Sequence, residues 1–446
     1  MRILHYFLGF PPYRSGGLTK FALDLMLAQK EDGHFVNALW PGKISALFKD
    51  VKIKKKKNIQ GIINYEIINP LPVSLDEGII DIAAYTKSGD INVYSDFLKQ
   101  TKIEVIHVHT LMGIHKEFFE AAKQLGIKTV FTTHDYFGIC PKVTLFKGND
   151  ACEGDDCSNC AYCNRSALGL KKVMLMQSPV YRALKNVALV KYLRKRHRQQ
   201  FFEEDISVGN AGCEEDDRAI EYKELRKFYI SMLEMVDVIH FNSNTSREVY
   251  CRYFTPKSYK VITISHKNIQ DNRKSSVWQP SKKIRITYLA DVKPAKGYYV
   301  LKEALDEIWR EGKRNFELHI YRGIDEVSPY MTVCSDSFEQ NELKDIFSDT
   351  DILVAPSIWY ETFGFTVLEA ASYGVPVIVS DRVGAKDIVP NGSIIVKAGS
   401  VEELKHVIQS MDLDRIAKLR REAMNNTIKT WRAYIQENYR LYDDVK

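Results

Sequence analysis

Short runs rich in β-branched and aromatic residues alternate with amphipathic stretches along this chain, a pattern that restricts it to α/β folds built on mostly parallel sheets. RILHYFL, FVNALW, VIHVHT, KTVFTTH and VDVIHFN supply strands of a first series. IRITYLA, FELHIY, DILVAP and VPVIVS supply a second. Between them lies DNRKSSVWQPS, polar and without an apolar period, which reads as a linker. Helices follow the strands of the second series: between Gly297 and Arg310, residues Val300, Leu301, Ala304, Leu305 and Ile308 recur at three- and four-residue spacing. A chain of 446 residues is too long for one core, so the economical arrangement is two doubly wound, Rossmann-like domains.

The expected division is a first domain over 1–270, a linker over 271–282, a second domain over 283–426 and a terminal helix over 427–446 that crosses back to the first. The first domain carries an insertion of about residues 136–235, where the strand rhythm stops and cysteines, a basic stretch and the acidic Glu214–Asp217 patch follow. With 45% apolar and 27% charged residues the chain has an ordinary globular balance, which excludes a disordered or collagen-like protein. No run approaches the roughly 18 apolar residues of a membrane span, and MRILHYFLGF reads as a buried strand, so a cytoplasmic protein is expected. A formal charge of +6 is small for this length and gives no reason to expect nucleic acid as a partner.

Open parallel sheets bind ligands beyond the carboxyl ends of their strands, where helix amino termini offer N–H groups to anions. Two segments have that form. In GFPPYRSGGLTKFALDL a helix opens near Gly17, and paired Gly16 and Gly17 let backbone amides approach a phosphate or sugar; a plain tight turn is the competing reading. In DILVAPSIWYETFGFTVLEAASYGVPVIVSD, Gly364 marks a helix start near Phe365, with Glu361 in the preceding loop and Glu369 on the helix. That geometry suits a diphosphate at the helix start, a sugar near Glu361 and ribose hydroxyls near Glu369. Solvated glutamates favoured by the helix dipole would explain the charges but not the flanking pattern.

PSIWYETFGFTVLEAASYGVPVIVSD resembles the signature of family 4 glycosyltransferases, retaining enzymes of the GT-B fold. The resemblance runs through most of the chain: SGGLTK is similar to that family's amino-terminal glycine loop, VIHVHT to its histidine motif, DVKPAKGYYVLKEAL to its phosphate-lysine motif and WRAYIQENYRLY to its terminal helix. It implies that Glu361 contacts donor-sugar hydroxyls, Glu369 the ribose, Lys296 the pyrophosphate and His109 the donor sugar. Gly16, Gly17, Phe363 and Gly364 would complete the donor site. Catalysis would fall to Glu361, His109 and Lys296, without a catalytic metal. Breaking a sugar–diphosphate bond leaves negative charge on the phosphate, so a metal-free site needs a fixed cation and helix-end amides, which Lys296 and the Phe365 helix would supply. Two departures stand out: Asp291 where many relatives have arginine, with Lys293 or Arg322 as substitutes for that charge, and a single glycine followed by Asp387 in VGAKDIV.

Five of the eight cysteines follow as Cys140-x11-Cys152-x4-Cys157-x2-Cys160-x2-Cys163. Two close pairs of soft thiolates suit a closed, structural tetrahedral zinc. Cys140, Cys152, Cys160 and Cys163 are the expected ligands, Cys157 is the alternative, and metal-free buried thiols are the competing reading. Similar cysteine-bearing inserts after HDYFGICP-like turns occur in bacterial polysaccharide glycosyltransferases. From Arg165 to Phe202 there are ten lysines and arginines and no acid, interspersed with apolar residues. This stretch is expected either to meet anionic lipid headgroups or to be a solvated helix packed on its own domain. Ile53 to Asn58, IKKKKN, reads as an exposed edge or loop.

Together these readings point to a retaining glycosyltransferase that uses a nucleotide-diphosphate sugar, a UDP sugar being the expected donor. The acceptor would be a surface-polysaccharide or polyprenyl-linked glycan, met at the inner face of the cell membrane. A GT-B sugar-nucleotide epimerase and a non-catalytic, zinc-stabilised binding protein are the alternatives, the second suggested by Asp291.

Overall fold

The computed structural model describes residues 1–14, 16–45, 48–74, 78–154, 157–188, 190–192, 218–274, 278–324 and 326–443. Its strands are β1 (Arg2–Tyr6), β2 (Phe35–Pro41), β3 (Lys52–Ile59), β4 (Ile62–Ile68), β5 (Val105–Val108), β6 (Lys128–Thr132), β7 (Phe146–Lys147) and β8 (Asp150–Ala151). There follow β9 (Val238–Phe241), β10 (Tyr259–Val261), β11 (Ile284–Tyr288), β12 (Phe316–Ile320), β13 (Met331–Val333), β14 (Ile352–Ala355), β15 (Val377–Ser380) and β16 (Ser393–Val396). One sheet has the order β10-β9-β6-β5-β1-β2-β4-β3, the other β13-β12-β11-β14-β15-β16. All pairs in both are parallel except β3 with β4. Central strands such as β5, β9 and β15 are buried along their whole length, as sheets covered by helices on both faces require. These are the two mostly parallel α/β sheets expected from the alternating pattern.

The lysine run forms the outer strand β3, with Lys54, Lys55, Lys56 and Lys57 exposed. Charged side chains on an outer strand discourage pairing with another chain, which fits the expectation of an exposed edge. Within the expected insertion, β7 and β8 form a small hairpin, and short helices cover Cys160–Cys163, Leu170–Met176 and Pro179–Leu184. At its end the helix Ala219–Leu233 buries Tyr222, Leu225, Tyr229, Met232 and Leu233 in the first core and leads into β9. The acidic Glu214–Asp217 patch and the basic residues Arg194, Lys195, Arg196 and Arg198 lie outside the described residues.

The terminal helix Trp431–Asn438 and the turn after it pack on the first half. Tyr434, Ile435, Leu441 and Tyr442 are buried in a cluster that takes Ile3, Val105, Val130 and Val238 from the first sheet and Val367 and Val377 from the second half. Arg432 and the Tyr439 hydroxyl both reach Asp32, at 2.5 and 2.8 Å.

Candidate functional site between the two halves

Two loops at the carboxyl ends of β11 and β14 build the second half's contribution. The backbone N–H groups of Ile358 and Trp359 donate to the Ala295 carbonyl at 2.9 and 3.2 Å. Residue 297 has φ 73°, and a Cβ there would stand 1.9 Å from the Pro356 carbonyl oxygen, so only glycine lets these loops touch. Their contact sets Lys296 against Glu361: Nζ donates to Oε1 at 2.7 Å and lies 4.7 Å from the Trp359 ring centroid. The Ser357 hydroxyl donates to the other carboxylate oxygen at 2.9 Å. Both partners keep about a fifth of their side chains exposed, 23% and 20%, so a ligand can reach the pair.

Immediately after Glu361 the chain turns through Gly364, φ 105°, into the helix Phe365–Ser372. Glu369 on that helix is buried; its Oε1 accepts from Gln340 Nε2 at 2.7 Å and lies 3.2 Å from His266 Nε2. Lys296, Glu361 and Gly364 are therefore brought together, whereas Glu369 is held deeper by its own partners. Phe363 is buried, its ring 5.4 Å from that of Phe365, which makes its side chain part of the core. Gly16 and Gly17 open the helix Gly17–Glu31 with empty space around both. Asp291 lies 3.4 Å from Lys293 and 3.3 Å from Arg322. Burial pushes its carboxyl up, but those cations outweigh burial and hold it below the usual carboxylate range.

The first half meets the site with histidines. His109 is fully buried, with Nε2 3.0 Å from His5 Nδ1 and Nδ1 3.1 Å from His134 Nε2. Both of its ring nitrogens are consumed inside the domain, so the expected direct contact with a donor sugar has no atom to make it. His134, only partly buried at the end of β6, is the residue on the site: its carbonyl accepts from the Thr362 hydroxyl at 3.2 Å. His134 was legible only as part of the turn before the cysteines, although it ends the strand next to the one preceding His109. The two halves also join where Ser243 Oγ donates to the Thr362 carbonyl at 2.6 Å, and where Asp387 accepts from the backbone and side chain of Asn244 at 2.9 and 3.1 Å. Asp387 thus sits at the amino end of the helix Asn244–Tyr250, where a carboxylate is favoured. The Asn242 amide and Trp359 Nε1, both buried beside this junction, have no hydrogen-bond partner among the described residues. Such groups are what a polar ligand would satisfy.

All five clustered cysteines line one cavity of about 350 Å³ with Arg226. Burial pushes the Cys140 thiol up to about 11 and raises that of Cys152, while a hydrogen bond with the Cys157 thiol raises Cys160. Cys163 lines the cavity with the other four, and Cys157 takes φ 62°. The sulfurs are not gathered within 4.8 Å of one another; among the described residues His5, His107 and His109 meet that spacing. The same segment grips the Glu361 loop: Glu153 accepts from Tyr360 at 2.5 Å and Arg382 at 3.2 Å, and Asp150 accepts from Arg382 at 2.7 Å.

Residues 335–430 match the family described as "Glycosyl transferases group 1". A Klebsiella pneumoniae protein described as an "Uncharacterized 41.2 kDa protein in cps region" is 26% identical over 133 residues, 29% of this chain and 36% of that relative's length. Among solved structures, sucrose-phosphate synthase from Thermosynechococcus elongatus has a TM-score of 0.55 at 14% identity, covering 99% of this chain and 98% of its own. A glycosyltransferase from Rickettsia africae gives 0.54 at 13%, covering 100% and 98%. Anabaena Alr3699/HepE in complex with UDP and glucose gives 0.51 at 12%, covering 100% of both chains. The structural likenesses support the GT-B fold across the chain, and the family match covers residues 335–430 of its second half.

Proposed function

We propose that this protein is an enzyme that transfers a sugar from a nucleotide-diphosphate sugar, with retention, to a glycan or polyprenyl-linked acceptor. The observation that carries this reading is the Lys296–Glu361 pair at the start of the Phe365–Ser372 helix, within reach of ligand. When a diphosphate occupies the helix start, Lys296 exchanges a carboxylate for a phosphate oxygen, and Glu361 is released to accept hydrogen bonds from sugar hydroxyls. Charge building on the leaving phosphate then meets a fixed cation and helix-end amides, which lower the barrier because they need not reorganise. Leaving phosphate assists the acceptor hydroxyl on the same face. The UDP complex of Alr3699/HepE supports a UDP sugar as donor. Asp291, the clue to a non-catalytic protein, loses its force because Lys293 and Arg322 counter its charge. Product analysis after incubation with UDP, GDP, ADP and dTDP sugars and a membrane lipid extract tests the reading; release of nucleoside diphosphate with a glycosylated lipid supports it, and an epimerised donor alone defeats it.

The cysteine cavity would hold one structural zinc on Cys140, Cys152, Cys160 and Cys163, with Cys157 as the alternative ligand, supplying a cross-link that fixes the insert. Contact with an anionic lipid surface is supported by the described part of the basic stretch, where Leu175, Val180, Leu184, Val187 and Tyr192 stand exposed between lysines and arginines. Replacing Arg194, Lys195, Arg196 and Arg198 with glutamate should release the protein from anionic vesicles while leaving nucleotide binding intact. Co-sedimentation like that of the unaltered protein would remove the membrane from the account.

A further inference from the structure

Polar side chains cross the first sheet in a row: His240 on β9, Thr132 on β6, His107 on β5 and His5 on β1, four neighbouring strands. All four are completely buried. A polar row inside a parallel sheet is costly unless each atom finds a partner, and here the partners include two residues from outside the sheet, Gln29 and Tyr442. Burial pushes His5 and His240 down to about 4 and His134 to about 3, and holds His107 and His109 well below their ordinary value, so every ring is neutral near pH 7. A neutral imidazole has one donor and one acceptor nitrogen, and its tautomer is dictated by what its neighbours can do.

The row has one end where direction is not a choice. His240 Nε2 lies 2.8 Å from the Ile262 carbonyl, which can only accept, so His240 carries its proton on Nε2 and presents a lone pair on Nδ1. The Thr132 hydroxyl must then donate to His240 Nδ1, at 2.8 Å, and accept from His107 Nε2, at 2.7 Å. His107 Nδ1 in turn accepts from the Tyr442 hydroxyl at 2.6 Å, and that oxygen accepts from Gln29 Nε2 at 2.9 Å. The Gln29 amide is thereby oriented with Oε1 toward His5, accepting from Nε2 at 2.7 Å. His5 Nδ1 accepts from His109 Nε2 at 3.0 Å, and His109 Nδ1 accepts from His134 Nε2 at 3.1 Å. All eight links run one way. At the far end His134 holds its proton on Nε2, leaving Nδ1 a bare lone pair with no protein partner among the described residues.

We propose that Tyr442 and Thr132 are positioning residues that lock His134 as a hydrogen-bond acceptor toward the cleft, so that the donor-sugar position it meets must carry a proton donor such as a hydroxyl. A carboxylate or phosphate oxygen there would set lone pair against lone pair. The row also accounts for His5, His107 and His109 without a metal, since each of their six ring nitrogens is already engaged. The consequence for the sugar rests on the proposed glycosyltransferase reading, but the tautomer does not, because it is a property of the ligand-free protein. Tyr442 comes from the segment after the last helix, so the terminal crossing fixes a protonation site in the first half as well as burying apolar surface.

The test is the nitrogen-15 spectrum of histidine-labelled protein without ligand, with resonances assigned by single-histidine substitution. The expected result is His134 with Nε2 protonated and Nδ1 bare. In Tyr442→Phe the hydroxyl that orients Gln29 is gone, and in Thr132→Val the link to His240 is gone. Either change frees the rest of the row to reverse, so His134 should gain a substantial Nδ1-protonated fraction in both while the fold persists. A structural role in packing alone would not move that proton. His134 protonated on Nδ1 in the unaltered protein would overturn the proposal even if neither variant folds, as would folded variants in which its tautomer is unchanged.

Discussion

The two sides of the site use opposite physics. The second half presents ions in exchangeable pairs, Lys296 with Glu361, and Asp291 with Lys293 and Arg322, all partly open to solvent. The first half presents neutral rings locked in a buried, directional chain that ends at His134. Partly exposed ion pairs cost less to separate than fully buried ones, so the second half can trade its internal contacts for those of an anionic ligand. A buried row of neutral donors and acceptors cannot be rearranged one member at a time, so the first half holds a fixed hydrogen-bond pattern that ends at His134. Ion pairs and neutral hydrogen bonds are thereby carried by different sheets.

The largest expected difference between the sides is in their response to acid. An unfolded histidine titrates near 6.5, whereas His5 and His240 in the fold titrate near 4 and His134 near 3. The unfolded chain therefore binds protons that the native chain refuses, and stability, full above pH 6.5, declines as pH falls toward 4. Each histidine contributes a slope of about 1.4 kcal/mol per pH unit inside that window. Asp135, raised by burial to about 7, acts in the other direction as a single group. Denaturation midpoints should fall steeply between pH 7 and 5; a flat profile would mean that the row is solvated or already charged.

Next in size is the ion pair. Removing Lys296 by alanine should weaken nucleotide binding and turnover by about 2 to 4 kcal/mol, as for other preorganised contacts to developing charge. Glu361→Gln should chiefly lower transfer, and Glu369→Ala nucleotide affinity, with the first-half histidine spectrum unchanged in all three. A shift of His134 in the Lys296 variant would show that the two sides are not separate.

Metal removal should act more weakly. Stripping zinc is expected to loosen Asp150 and Glu153 from Tyr360 and Arg382, lowering turnover several-fold through the Glu361 loop while nucleotide affinity holds. Metal analysis and hydrogen exchange over residues 140–163 provide the check, and a protein purified without zinc would discard the site. The smallest effect is expected from Asp387→Asn, which removes a charge from the amino end of the Asn244–Tyr250 helix and should cost about 1 kcal/mol or less in thermal stability. No change would mean that the halves are held by the other contacts alone.

What could be read from residues alone follows the same division. The helix start at Phe365, the loop with Glu361 and the lysine after β11 are local patterns, visible because strand, glycine and helix follow one another within a few residues. His109 is different: sequence places it at a strand end, but that its two nitrogens are spent on His5 and His134 depends on three strands distant in the chain. The lysine run of β3 disguised a strand because an outer strand has no reason to alternate strongly.

The central claim, that a nucleotide diphosphate binds against Lys296 at the start of the Phe365–Ser372 helix, is tested most directly by calorimetric titration of UDP, GDP, ADP and dTDP into the unaltered protein and Lys296→Ala. The account predicts binding of at least one of them, weakened roughly 30-fold or more by the substitution. Binding of equal strength to both proteins, or no binding of any of the four to the unaltered protein, would contradict it.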